Sequence, residues 1–293
     1  MTEVTPLDSK WIAANPAPVH GSGTTKNSRG RVLAIGGAAR VPGALRLTGE
    51  AALRAGAGKL QIATIASAAL PIGILVPEAG IIALPEDEAG EIAADCAAML
   101  AKPLGSCDAA VVGPGISDND VAERVARCVL TRAADDAAIV VDAAAIGGLA
   151  RCRAEIARFA GRLVITPHHG EMAALTGESA EAIGDDPERF AREVASAYGI
   201  IVVLKADDTL VATPDGAMLH YLGGGIGLAT GGSGDVLAGA IAGLLSRGAA
   251  PVVAAGWGVW LHGHGGRRVA AARGPIGFLA RELPDEFPRL LPQ

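Results

Sequence analysis

The chain has 293 residues, of which 50% are hydrophobic, so it has ample material for a large buried core. Aromatic residues make up only 3%, which leaves that core to Ala, Val, Leu and Ile, the composition of a parallel sheet covered on both faces. A net charge of −6 with no basic stripe argues against nucleic acid as a partner.

The first twenty residues, MTEVTPLDSKWIAANPAPVH, lack the apolar core of a signal peptide. Cys96, Cys107, Cys128 and Cys152 fall among apolar residues without CxxC spacing. They are expected as reduced structural thiols of a cytoplasmic protein. Residues 1–30 read as an N-terminal extension and 31–293 as one domain. RVLAIGG predicts a strand, and PGALRLTGEAALRAGAG has helical spacing with Pro42 near its start. LQIATI and GIIALP predict further strands. The uncharged run ASAALPIGILVPEAGIIALP is interrupted by Pro71, Pro77 and Pro85, so it is expected as buried strand and loop pieces and not a membrane span.

EDEAGEIAADCAAML predicts an amphipathic helix, and DNDVAERVARCVLTRA a second one capped by Asp118. AAVVGPG, AIVVDAAA, LVITPHHG and IIVVLKA are short apolar runs that each end in a turn or a polar residue. TLVATPDGAMLHYL carries a Pro-Asp-Gly turn between alternating runs and predicts a hairpin. From Ser233 onward the pattern is helical. This β–α alternation predicts a doubly wound, mostly parallel α/β sheet with helices on both faces and an antiparallel hairpin at one edge. In such sheets, ligands bind at the carboxyl ends of the strands.

The residues at those ends carry the chemistry. Gly113-Pro114-Gly115 is a tight turn or a place where backbone approaches a ligand. Asp142 either orients a metal-bound water or caps the following helix. Thr166-Pro167-His168-His169-Gly170-Glu171 clusters polar groups at a helix start. Its spacing does not fit zinc, whereas Glu171 suits magnesium reached through water. Lys205, one of five lysines, ends a buried strand and needs an anionic partner, either a nucleotide phosphate or the nearby Asp207 or Asp208. The most informative stretch is Ala229-Thr230-Gly231-Gly232-Ser233-Gly234-Asp235, followed directly by VLAGAIAGLL. Its glycines let backbone N–H groups converge on an anion, and the helix N-terminus adds a positive dipole end. That dipole is expected to keep Asp235 ionised, as a base beside the anion. The loop is neither a Walker A motif nor a dinucleotide fingerprint.

ATGGSGDVLAGAIAGLL resembles the anion-hole motif of the ribokinase-like superfamily. Together with VLAIGGAARVPGALRLTGEAALRAGAGKLQIAT, VVGPG, VITPHHGEMAALTG, IVVLKADDTLVATPDG and HGHGGRRVAAARGPIGFLARELP, the chain is similar to the ADP-dependent NAD(P)H-hydrate dehydratases over about residues 28–290. The resemblance implies that hydrated NADH or NADPH, the S epimer at ring carbon 6, is dehydrated after ADP (or ATP) phosphorylates its hydroxyl. It implies Asp235 as catalytic base, with Gly232, Ser233 and Gly234 as the anion hole. The hydrate would be bound by Ala44, Gly115, His168 and Asp235. The adenine nucleotide would be bound by Lys205, Ala206, Asp207, Asp208, Thr209 and Gly234. Glu171 matches the magnesium-associated glutamate, and a homo-oligomer is implied. Two alternatives share the scaffold, a vitamin-type kinase and an inactive nucleotide-binding homologue. Thr166-Pro167-His168 favours the dehydratases, because vitamin kinases tend to have Asn at the position of His168. The chain departs from the family pattern at Gly224–Leu228, where an Asn-Pro-Gly-Met-like run is usual. It departs also at Ala206 (usually Gly) and at Ile116-Ser117 (usually Leu-Gly).

Overall fold

The strands lie in one ten-stranded sheet in the order β1-β10-β9-β8-β7-β6-β5-β2-β3-β4. The computed structural model describes residues 4–292; Met1–Glu3, at the start of the stretch set aside as an extension, and Gln293 lie outside the described residues. In chain order the elements are β1 (Val4–Pro6), α1 (Ser9–Ala14), β2 (Arg31–Ile35), α2 (Ala44–Arg54), β3 (Lys59–Ile65), α3 (Ala66–Leu75), β4 (Ala79–Leu84) and α4 (Ala97–Leu104). Then come β5 (Ala109–Val112), α5 (Asn119–Arg132), β6 (Ala138–Val141), α6 (Ala145–Gly148), α7 (Arg153–Ile156), β7 (Leu163–Ile165), α8 (His169–Thr176), α9 (Ala180–Asp185) and α10 (Pro187–Tyr198). The chain closes with β8 (Ile201–Lys205), β9 (Thr209–Ala212), β10 (Met218–Tyr221), α11 (Ser233–Ser246), α12 (Pro251–Arg273) and α13 (Phe287–Leu290).

Every residue of β5, β6 and β7 is buried. Helices cover both faces there, so these strands are continuous apolar runs without alternation. Strands β2 to β8 are parallel, and β9 alone runs antiparallel to its neighbours β8 and β10. Helix α11 packs against α2, α12 and the ends of β2, β5 and β6. Its residues from Val236 to Ser246 are all buried, which explains an apolar sequence with no polar face. The strand order reverses between β2 and β5, the switch point at which a ligand crevice forms in such sheets. There the Gly37 N–H donates to the Pro114 carbonyl at 2.8 Å.

The N-terminal extension is tied to the domain at its start: Val4–Pro6 pairs in parallel with β10, and the Trp11 ring lies against Gly256 of α12. Two local expectations need correction. Ala66–Leu75 is a helix despite Pro71. The ring sits on the exposed side, so the carbonyl it leaves unpaired faces water, while Ala68, Ala69 and Ile72 form a buried stripe. Residues 86–93 are not helical, because the Asp87 side chain accepts from the N–H groups of Ala89 and Glu91 and holds a turn. Glu86 and Ile92 bridge across that turn, and α4 begins only at Ala97. No described helix is long and apolar enough to cross a membrane.

Candidate active site

Among the described residues five α-helices carry side-chain caps, from Asp8, Asp118, His168, Ser179 and Asp186. Helix α11 has none. Gly232 precedes it at φ +88°, a left-handed conformation that an L side chain adopts only with strain. This turns the chain sharply into the helix; the Ser233 N–H turns back to the Thr230 carbonyl at 3.2 Å, whereas those of Gly234 and Asp235 make no backbone hydrogen bond, the geometry of an anion receptor.

Beside that terminus lies a cluster of charges. Asp142, at the end of β6, is 2% exposed. Its Oδ1 accepts from the Thr166 hydroxyl at 2.6 Å and from Lys205 Nζ at 3.1 Å. It therefore does not cap α6, whose first turn has no side-chain cap. Lys205 also lies 3.7 Å from Glu171 Oε2. The ammonium is thus neutralised by Asp142 and Glu171, not by Asp207 or Asp208 as the local sequence invited. Burial alone would lower the Lys205 pKa, but the carboxylates of Asp142, Glu171 and Asp235 more than offset it and hold the group above its ordinary value. A Cβ on Gly234 would stand 3.2 Å from Lys205 Nζ, which puts the lysine directly under the first turn of α11.

Asp235 is the largest departure from expectation. Its carboxyl is pushed up to about 7, first by burial, then by the negative charge of Asp142, with a further push from Glu171; Lys205 pulls the other way. The helix dipole that argued for an ionised carboxylate is outweighed by desolvation and two neighbouring carboxylates. A carboxyl poised near neutrality suits general-base catalysis.

His168 serves as a helix cap. Its Nδ1 accepts from the N–H groups of Gly170 and Glu171 at 2.9 and 3.2 Å, and its own N–H donates to Glu171 Oε2 at 2.8 Å. An Asn caps helices well too, so an Asn in place of His168 would leave the helix start intact and change only what is offered to a ligand. Asp208 accepts from Gly223 N–H at 2.9 Å and lies 3.0 Å from His220 Nε2, tying the β8–β9 turn to the glycine-rich loop after β10. His262, in the middle of α12, was not singled out from sequence. Its Nε2 lies 2.7 Å from Ser233 Oγ, and burial, assisted by Lys205, pushes its pKa down to about 4.

These groups line one cavity of about 960 Å³, within the size range of small-molecule sites. A family described as NAD(P)H-hydrate dehydratase matches residues 32–289. The chain belongs to the NAD(P)H-hydrate dehydratase family. It is 45% identical over 282 residues to the ADP-dependent (S)-NAD(P)H-hydrate dehydratase of Xanthomonas campestris, covering 96% of this chain and 93% of that one. Against the bifunctional NAD(P)H-hydrate repair enzyme of Moorella thermoacetica the identity is 38%; the match covers 97% of this chain but 53% of that protein. An ADP/ATP-dependent NAD(P)H-hydrate dehydratase from Bacillus subtilis, crystallised with ATP and Mg²⁺, superposes with a TM-score of 0.81 at 27% identity, covering 99% of this chain and 98% of that one.

Within this dehydratase-family fold, the positions assigned to the nucleotide by resemblance, Lys205 to Thr209 and Gly234, all line the large cavity, as do Gly232, Ser233, Asp235, His168 and Glu171. Ala44 and Gly115 do not line it. They meet each other at the switch point, where a Cβ on Gly115 would come within 2.9 Å of the Ala44 Cβ. In the unusual run Gly224–Leu228 all but Gly227 line the cavity, with Gly224 against Gly263 of α12 and Ile226 68% exposed at the rim. Ser117, another departure, donates from N–H and hydroxyl to the buried Glu91. Among the described residues no group of three or more His, Cys, Asp or Glu converges as a metal cage.

Proposed function

We propose that the protein dehydrates the S epimer of hydrated NADH or NADPH, using ADP or ATP as phosphoryl donor. The observation that carries this reading is Asp235, a carboxyl near neutrality on the first turn of an uncapped helix, beside Lys205. Asp235 takes the proton of the ring hydroxyl as its oxygen attacks the terminal phosphorus, and the bond to the nucleotide's bridging oxygen breaks. The N–H groups at Gly232 to Gly234 receive the equatorial oxygens of the moving phosphoryl, with Lys205 nearby. Phosphate then leaves as the ring carbon–oxygen bond breaks, and loss of the neighbouring ring proton restores the reduced nicotinamide. Hydrate and ADP thus become NAD(P)H, AMP and phosphate, the ring hydroxyl oxygen leaving in the phosphate; with ATP the nucleotide product is ADP. In this reading Lys205 to Thr209 and Gly234 hold the nucleotide, while Ala44, Gly115 and His168 face the hydrate. The enzyme acts in the cytoplasm as a homo-oligomer.

The residues also fit magnesium. Asp142, Glu171 and Asp235 surround one ammonium, so a fully ionised cluster is net negative where a polyphosphate must dock. Hard oxygen ligands and nucleotide phosphates are the usual magnesium set; Glu171 Oε1 and Asp142 Oδ2 are the oxygens this chain would offer, the former through water. The ion would neutralise charge on the phosphates. Excess chelator is expected to lower turnover by at least about tenfold, with recovery on adding Mg²⁺; unchanged turnover in chelator would remove magnesium from the reading.

The deciding assay follows reduced-nicotinamide absorbance on mixing protein, S hydrate, Mg²⁺ and ADP or ATP. A stable phosphorylated product without that absorbance would make the protein a kinase. The dependence on pH is also fixed by the site. Asp235 must be unprotonated to act, so kcat/KM is expected to rise with pH along a single-proton limb centred near 7. A flat profile between pH 5.5 and 8.5 would contradict that role.

A further inference from the structure

We infer that His262 is a positioning residue of the anion hole: its Nε2–H holds Ser233 Oγ as an acceptor, turning the Ser233 hydroxyl proton toward the transferring phosphoryl group. This rests on the phosphoryl-transfer reading above and assigns a role to a side chain that reading does not use. Ser233 is the first residue of α11 and is 6% exposed. A hydroxyl at a helix start commonly caps its own helix, yet Ser233 caps nothing. Its oxygen is instead 2.7 Å from a ring on another helix. Both side chains line the cavity that holds Lys205 and Asp235.

The direction of that hydrogen bond decides the electrostatics of the pocket. If Ser233 gave its proton to the imidazole, its lone pairs would face the arriving anion and repel it. If the imidazole donates, the hydroxyl proton is free to point at the phosphoryl oxygens, beside the N–H groups of the same turn. Burial and the Lys205 ammonium hold the ring's pKa well down, so one nitrogen carries a proton. That proton is assigned to Nε2, the ring nitrogen that meets Ser233 Oγ at 2.7 Å, because an anion arriving at the helix start favours the arrangement that turns the hydroxyl proton toward it. The site thereby gains a donor without a second cation next to Lys205.

The test combines tautomer and kinetics on the whole chain. Long-range ¹H–¹⁵N spectra should show His262 as the Nε2–H tautomer at pH 7; the Nδ1–H tautomer would overturn the proposal. Ser233→Ala and His262→Leu should each lower kcat by about 10- to 100-fold with little change in the nucleotide KM. The double variant should be no worse than either single one, because both remove the same donor. His262→Gln, which keeps an N–H at that reach, should recover most of the activity. Multiplying losses in the double variant, or no rescue by Gln, would reduce His262 to a packing residue. Should the Leu variant not fold, Ser233→Ala alone decides, since parent-like turnover there sinks the proposal. Failure of the parent protein to regenerate reduced nicotinamide would instead sink the underlying reading.

Discussion

Asp235→Asn is expected to lower turnover by about two to four orders of magnitude while leaving the fold intact, the loss typical of removing a general base. Nothing else in the cavity replaces it, since the carboxylates of Asp142 and Glu171 are held by Lys205, Thr166 and the backbone of His168. The same substitution has a second readout that a structural role would not give. The Asp235 carboxyl sits at about 7 in the folded protein against 3.8 as its ordinary value. Between those values the folded state keeps a proton that the unfolded state has lost, so this group's contribution to stability falls as pH rises through that window. Asn carries no such cost. The variant is therefore expected to melt above the parent at pH 8, with the gain shrinking toward pH 4, a trade of activity for stability. Calorimetry at the two pH values, alongside single-turnover kinetics, checks both arms. Near-parent turnover would remove Asp235 from the chemistry. A stability difference independent of pH would contradict its raised pKa.

Lys205→Met should be almost as damaging, for a different reason. Asp142 is nearly inaccessible and depends on Lys205 for its countercharge. Stranding a buried carboxylate costs about 3 kcal/mol, which for a chain of this size lowers Tm by on the order of 5–10 °C. Lys205 is also the one neighbour that pulls the Asp235 pKa down, while burial, Asp142 and Glu171 push it up. Its loss should move the acid limb of kcat/KM above 7, in addition to lowering kcat/KM by at least about 100-fold. Lys205→Arg separates charge from geometry. It should restore most of the lost Tm and less of the activity, because a planar guanidinium does not fit the point-charge position under the helix turn. An unchanged Tm and an unmoved limb in Lys205→Met would show that the charge cluster does not control the site.

Much of this was readable in the sequence wherever one segment sufficed. The apolar runs ending in Asp142, Thr166 and Lys205 became parallel strands with those residues at their carboxyl ends. Asp118 caps α5 as expected, accepting from the N–H groups of Asp120 and Val121. The loop before α11 has the left-handed glycine its composition required. Readings failed where the deciding partner is remote in the chain. Lys205 chose Asp142, just past β6, and Glu171, on the first turn of α8, over its neighbours Asp207 and Asp208. The titration of Asp235 is set by burial under residues from three segments, which a local dipole argument does not see. His262 was invisible because HGHGG in a glycine-rich helix has no signature of its own. Its meaning arises only when α12 crosses the start of α11. The turn at Asp87 shows the converse, a short-range side-chain bond that defeats an acidic, helix-like composition.

The edge pairing of β1 with β10 has a consequence for how the molecule is made. Val4 must find Met218, so β1 waits for the last strand of the sheet, made more than two hundred residues later. At ribosomal rates of roughly 5–20 residues per second, that wait is on the order of 10–40 s. During it the growing chain exposes Val4–Pro6 and the apolar side of α1, including Trp11, with no sheet to receive them. A strand of three residues that ends in proline is a poor template for unwanted pairing. The brevity of β1 suits a segment that spends its first moments without a partner.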